Sequence, residues 1–172
     1  MLSLSDNEFS VLSFLVRNFT ERLTIRNIAQ KLDFSPAGVF NILKKLEKHG
    51  IVVGQKLGTG LFYSINLENK IAEHLAAIVL LHTDEKISLD VQQLKQAKAA
   101  IFDRKTLLLI TDSITIHDIS IPNADLICKT EDEMMESLRK RDPVILQSLR
   151  KGIVLFGEDN IVGIIKNCLS RF

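Results

Sequence analysis

Lys44, Lys45 and Lys48 stand three, four and seven residues after Asn41, so on a helix the four share one face. An amide that can pair bidentately with an adenine edge, beside ammonium groups suited to phosphates, is the chemistry of duplex recognition. Phe40 adds a ring that can meet a thymine methyl, and Ser35, Ala37 and Gly38 complete the outward set at the start of the same stretch. Shortly after come Gln55, Lys56 and Thr59, interleaved with Gly54, Gly58 and Gly60. Those glycines are spaced for a hairpin tip, not for a phosphate cradle. In the alternative reading Phe40 packs against its own domain and the lysines only solvate a helix.

Other reactive residue types are scattered. His49, His74, His82 and His117 show no metal-ligand spacing of the H-E-x-x-H kind, which favours solvated or interfacial imidazoles over zinc. Cys128 and Cys168 have no C-x-x-C spacing and read as reduced structural thiols. Asp103, Asp112, Asp118 and Asp125 could gather at strand ends around a cation, although acids there are commonly turn formers. No Ser/His/Asp grouping, Gly-x-Gly-x-x-Gly or Walker sequence is present. Neither a cofactor nor a metal is expected.

The elements that must carry the recognition set emerge from caps and periodicity. Ser5-Asp6-Asn7-Glu8 is a capping box, followed by Phe9, Leu12, Leu15, Val16 and Phe19 at helical spacing. Thr24 caps a second helix whose stripe is Ile25, Ile28, Ala29 and Leu32. Ser35-Pro36 opens a third, which runs to His49 with Val39, Leu43 and Leu46 inward, and Gly50 supplies the left-handed residue beyond its end. From Ile51 to Asn66 the period changes to about two, giving a hairpin with a glycine-rich tip.

Three helices and a hairpin make a winged helix-turn-helix. The run Ser35-Pro-Ala-Gly-Val-Phe-Asn-Ile-Leu-Lys-Lys-Leu-Glu-Lys-His-Gly-Ile-Val resembles the recognition helix and first wing strand of MarR/ArsR-type winged-helix regulators, over about the first 66 residues. The resemblance implies double-stranded DNA as partner, with the third helix in the major groove and the wing along the backbone. It also implies that an added helix, here Leu67 to about His82 with Ile71, Leu75, Ile78, Val79 and Leu81, builds a homodimer.

Thr83 to Asp90 reads as a linker into a second, α/β domain. There a helix is expected at Val91 to Ala99, and strands at Ala100 to Phe102, Thr106 to Thr111, Thr115 to Ile119 and Asp125 to Cys128. Helices then start at the Thr130-Glu131-Asp132-Glu133 capping box and at Asp142-Pro143, Gly152 stops the latter, Ile153 to Phe156 is a strand, and a final helix uses Ile161, Ile164, Ile165 and Leu169. The closing Ile153-Val-Leu-Phe-Gly-Glu-Asp, after Thr-Glu-Asp-Glu-Met-Met and a proline-started helix, resembles the end of small prokaryotic nucleotidyltransferase domains, over roughly Ala99 to Gly163. Active members of that family have a Gly-Ser loop and a D-x-D pair for magnesium. Here Ile101-Phe102-Asp103-Arg104-Lys105 replaces the loop and its helix, the strand Thr106 to Asp112 has no aspartate pair, and Asn123-Ala124-Asp125 puts a neutral amide where the first carboxylate belongs. The resemblance therefore implies a degenerate domain without catalysis.

Length and charge agree with this division. At 172 residues the chain suits two small domains, and 46% hydrophobic with 25% charged residues rules out disorder. The net charge of +1 excludes a protein that coats nucleic acid over its whole surface. Residues 1–66 nonetheless hold eight Lys/Arg against five Asp/Glu, and residues 67–172 fourteen against sixteen. The positive excess lies where a nucleic-acid surface would be useful. No apolar run reaches membrane-span length and no signal peptide is visible, so a cytoplasmic protein is expected. The sequence thus predicts an α+β chain: a winged helix at 1–66, a linking and dimerisation helix at 67–84, and a truncated nucleotidyltransferase-like domain at 85–172. Its function would be DNA-binding transcription regulation, with the C-terminal domain sensing a small-molecule or protein effector or serving assembly. The alternatives are nucleotidyl transfer and a protein-docking winged helix.

Overall fold

The computed structural model describes residues 3–83, 94, 96–112 and 124–170. The chain divides inside a helix into two compact units, Met1–Val79 and Leu80–Phe172.

In the first unit, helix starts follow the caps. The Ser5 hydroxyl accepts from the Glu8 amide at 3.4 Å and the Ser5 amide donates to Glu8 Oε2 at 2.9 Å, opening α1 (Asp6–Arg17). Thr24 opens α2 (Ile25–Leu32), with Asn27 as the returning acceptor, and Ser35 opens α3 (Pro36–Lys48) with proline at its first position. Their apolar stripes, Val11, Leu12, Leu15 and Val16, then Ile28 and Ala29, then Val39, Leu43 and Leu46, are all buried. Burial of this kind stabilises each short helix more than its propensity does.

Strands β1 (Val52–Leu57) and β2 (Gly60–Ile65) form an antiparallel pair, with Val52 opposite Ile65 and Leu57 opposite Gly60. The two-residue turn Gly58-Thr59 places Gly58 at φ +59, which a glycine adopts without strain. Tyr63 donates its amide to Leu23 O at 2.8 Å, so the connection before α2 adds a short bridge to the hairpin. Helix α4 (Lys70–Leu81) begins later than the Leu67 expected from apolar content. The delay has a cause: Asn69 turns back to donate its amide to Asn66 O, and its side chain takes up the Ile71 amide.

The second unit is a four-stranded mixed sheet ordered β5-β4-β3-β6, with helices on one face. β3 (Ala99–Phe102) is antiparallel to β4 (Thr106–Ile110) and to β6 (Ile153–Phe156), whereas β5 (Asp125–Lys129) runs parallel to β4. β3 passes to β4 directly through Asp103, Arg104 and Lys105, with no helix between them. Asp103 Oδ1 accepts from the Lys105 and Thr106 amides at 3.2 and 2.9 Å and closes that turn.

Helices α5 (Glu131–Arg139), α6 (Pro143–Lys151) and α7 (Glu158–Leu169) pack on the Ile101 side of the sheet, where Gly152 meets the Ile101 side chain. On the opposite face Leu94 and Ala97 cover Ala100, Leu107 and Leu109. All of β4 is therefore buried, as its unbroken Thr-Leu-Leu-Leu-Ile run requires. Of the helix expected at Val91 to Ala99, residues 91–93 and 95 lie outside the described residues; its end is corrected, since residues 96–98 form a turn and Ala99 already belongs to β3. Ala99 pairs with Ile110, so β3 begins one residue before the strand expected from Ala100. The strand expected at Thr115 to Ile119 and the polar linker, apart from its first residue, lie outside the described residues. Among those described, no helix is long and apolar enough to cross a membrane.

Candidate nucleic-acid interface

The buried stripe of α3 fixes what its other side shows. With Val39, Leu43 and Leu46 inward, Ser35, Ala37, Phe40, Asn41, Lys44 and Lys48 are exposed, while Gly38 and Lys45 are half-buried. Phe40 keeps 43% of its surface open, so it is not a core residue. One turn on, Lys44 Nζ stands 5.3 Å from the centre of the Phe40 ring. That cation–π contact holds the ammonium against the outward face of the helix. On the hairpin Gln55, Lys56 and Thr59 are exposed. Ser35 Oγ is occupied as the α3 cap, accepting from the Gly38 amide at 3.1 Å.

Lys45 differs from its neighbours. Its Nζ donates to Glu8 Oε2 at 2.9 Å and to Ser3 O at 3.1 Å, and lies 2.7 Å from Glu8 Oε1. The Glu8 side chain is only 10% exposed. Burial pushes its carboxyl up, but the hydrogen bond from Lys45, the Ser5 amide and the Lys45 charge outweigh that and hold it below the ordinary carboxylate range. Lys45 thus braces α3 against α1. Glu47, the one acid of the Ser35 to Gly60 stretch, accepts from the Gly54 amide at 3.2 Å and ties α3 to the wing. Burial, and then the Glu47 charge, raise the Tyr63 hydroxyl.

Two residues the sequence did not single out finish the α3 end. Asn66 Nδ2 donates to Gly50 O at 2.9 Å, and Asn69 Nδ2 reaches both His49 O and Gly50 O at 3.1 Å. Only the turn after the hairpin, rich in asparagine, hints at this in the sequence.

The candidate groups of the second unit do not converge. Asp112 pairs with Lys98 at 2.6 Å beyond the end of β4, whereas Asp103 and Asp125 sit where β4 and β5 begin. Lys98 also holds Glu131 at 3.0 Å. Among the described residues no three His, Cys, Asp or Glu side chains gather as a metal site. His49, His74 and His82 are exposed, and His117 and Asp118 lie outside the described residues. The Cys128 and Cys168 thiols are both pushed up by burial, which suppresses the reactive thiolate.

A three-helix unit whose last helix shows an amide, lysines and an aromatic ring to solvent, followed by a hairpin, is a winged helix-turn-helix, a DNA-binding fold. Residues 2–59 match the model of the MarR family, about a third of the chain. The match ends in the wing turn and includes neither α4 nor the second unit. Among solved structures, a zinc-responsive MarR family member, ZitR of Lactococcus lactis, is 24% identical over 44% of this chain and 50% of its own, with a TM-score of 0.36. The chain thus spans half the length of that relative. A hypothetical protein solved at 2.2 Å is 12% identical over 98% of this chain and 75% of its own, with a TM-score of 0.38. No curated protein matches.

Proposed function

We propose that the chain is a DNA-binding transcriptional regulator that reads duplex DNA in the cytoplasm, as a homodimer, with α3 in the major groove and the β1–β2 wing along the backbone. One observation carries the reading: the face of α3 bearing Phe40, Asn41, Lys44 and Lys48 is uncovered and continuous with the exposed small residues at its start. Asn41 is assigned to an adenine edge, Phe40 to a thymine methyl, and Lys44 and Lys48 to phosphates. Ser35, Ala37 and Gly38 bring the start of α3 to the groove, and Gln55, Lys56 and Thr59 serve the wing. Lys45 stands behind this surface as a strut. Ile71 and Ile78, 53% and 54% exposed on one side of α4, are assigned to the contact between copies.

The second unit is assigned a non-catalytic role as sensor or assembly module. It is read as a degenerate nucleotidyltransferase-like domain on the sequence resemblance alone, and no catalysis is assigned to it because the β3–β4 connection has no helix and the following strand no aspartate pair. The test of the main reading is duplex binding by electrophoretic shift over a salt series. Binding should weaken steeply with salt and be reduced by Asn41→Ala and by Lys44→Ala. An unchanged shift in both variants would reject it.

A second reading has one observation in its favour. The wing shows Val53, Leu57 and Leu61 to solvent, with Lys56 as its one cation. An apolar wing suits a protein partner. Recovery of a stable protein complex, with no duplex binding at low salt, would favour this docking module over the regulator.

A further inference from the structure

We infer that Asn69 is a positioning residue for the recognition helix, because its single carboxamide ends α3 and begins α4. The inference rests on the reading that α3 enters the groove. The Nδ2 atom donates to His49 O and Gly50 O, both at 3.1 Å, while Oδ1 accepts from the Ile71 amide at 2.9 Å. The backbone completes the joint: Asn69 donates its amide to Asn66 O at 3.1 Å, and Glu73 donates to Asn69 O at 3.0 Å in the first turn of α4. Helix ends leave carbonyls unpaired at one terminus and amides at the other. One planar group satisfies both kinds here, and its geometry admits no independent movement of the donor and acceptor sides.

Gly50 is shaped to this contact. Its φ is +68, and a Cβ added there would stand 2.9 Å from Asn69 Nδ2. The α3 terminus can approach the side chain only because no side chain opposes it. Asn66 Nδ2 adds a second donor to Gly50 O at 2.9 Å, so this carbonyl is held from two sides. A shift of the start of α4 is therefore passed to the end of α3, and seating a second copy on α4 changes how α3 meets the groove. Coupling of this kind is reciprocal: the factor by which assembly changes DNA affinity is the factor by which DNA binding changes assembly.

The discriminating variant is Asn69→Asp in the full chain. A carboxylate keeps the acceptor for α4, whose N-terminus favours negative charge, but presents oxygen to two carbonyls. Measured well below melting, on a duplex selected from genomic fragments by the wild type, affinity should fall about tenfold, with the salt slope unchanged because no phosphate contact is lost. Amide hydrogen exchange should quicken at Gly50 and Ile51, which close the last turn of α3, and stay at the wild-type rate at Ile71. If Asn69→Asp does not fold, Asn69→Ser keeps a short acceptor for the Ile71 amide, but its shorter hydroxyl with one proton cannot serve both His49 O and Gly50 O, and it should behave the same way. A lower melting temperature with wild-type affinity, or unchanged exchange at Gly50 and Ile51, overturns the joint. Failure of the wild type to bind any duplex overturns the groove reading instead, and the exchange measurement still decides the joint.

Discussion

Lys44 and Lys45 are adjacent, have the same chemistry and are indistinguishable in sequence, yet they have different work. Lys44 lies over Phe40 on the open face, and Lys45 is anchored to Glu8, 37 residues earlier in the chain. Lys44→Ala should therefore lower the slope of log affinity against log salt by about one unit, as expected for one lost phosphate contact. Lys45→Ala should leave that slope unchanged and destabilise the fold by about 1–3 kcal/mol, because it leaves a buried carboxylate without its partner. Glu8 carries a pH dependence of definite sign. Its folded pKa is depressed, so its stabilisation is complete above the unfolded carboxylate value of about 4.3 and disappears as pH falls through the folded value. Melting temperature followed downward from neutral pH should drop less steeply in this window for Glu8→Gln than for the wild type. The face was legible from spacing alone. The strut was not, since its partner is distant in the chain and Glu8 already had a complete local explanation in the capping box.

Elements were legible wherever a local signal agreed with burial. Ser5, Thr24, Ser35, Thr130 and Asp142 each cap the helix that follows, and each is a short polar residue placed before an apolar stripe. The expected helix at Val91 to Ala99 shows the limit. Its last residue, Ala99, takes a strand partner on β4, one residue ahead of the strand expected from Ala100, because a strand's first residue is set by its partner across the sheet and not by the segment itself. Gly157 lies at a junction where the local signal understates the requirement. It stops β6 and starts α7 at φ +77, and an added Cβ would run into Lys98 O and the backbone of Ala99. Neither a left-handed φ nor main-chain overlap can be relieved by turning a side chain. Gly157→Ala should destabilise the second unit by about 2–4 kcal/mol, read as a fall in its denaturation midpoint. Gly163→Ala, within α7 and with open space around it, should be neutral or stabilising by about 0.5–1 kcal/mol.

At the scale of the molecule, the few cations on the proposed reading surface would limit its affinity for DNA. Between Ser35 and Gly60 there are four lysines, no arginine and one acid, and one of those lysines is held by Glu8. A surface that neutralises so few phosphates binds weakly at physiological salt. Two linked copies change the arithmetic, since the second binding event becomes intramolecular and avidity can gain about 10²–10⁴ without any new contact. The proposed seat for that second copy was visible in sequence only as a helix too apolar to be a solvated spacer. Structure divides its residues: Ala72, Ala76 and Val79 are buried, while Ile71, Ile78 and Leu81 face solvent. A carboxylate at Ile71 and Ile78 would therefore leave the buried side of α4 intact and oppose association. The double variant Ile71→Glu/Ile78→Glu should sediment at half the wild-type mass with an unchanged helical spectrum. Its affinity for a duplex with two half-sites should fall by at least about tenfold, toward the value for one half-site, which the wild type should bind no better than the variant. Equal mass in wild type and variant would remove α4 from the assembly, and equal affinity for one and two half-sites would remove the need for a second copy.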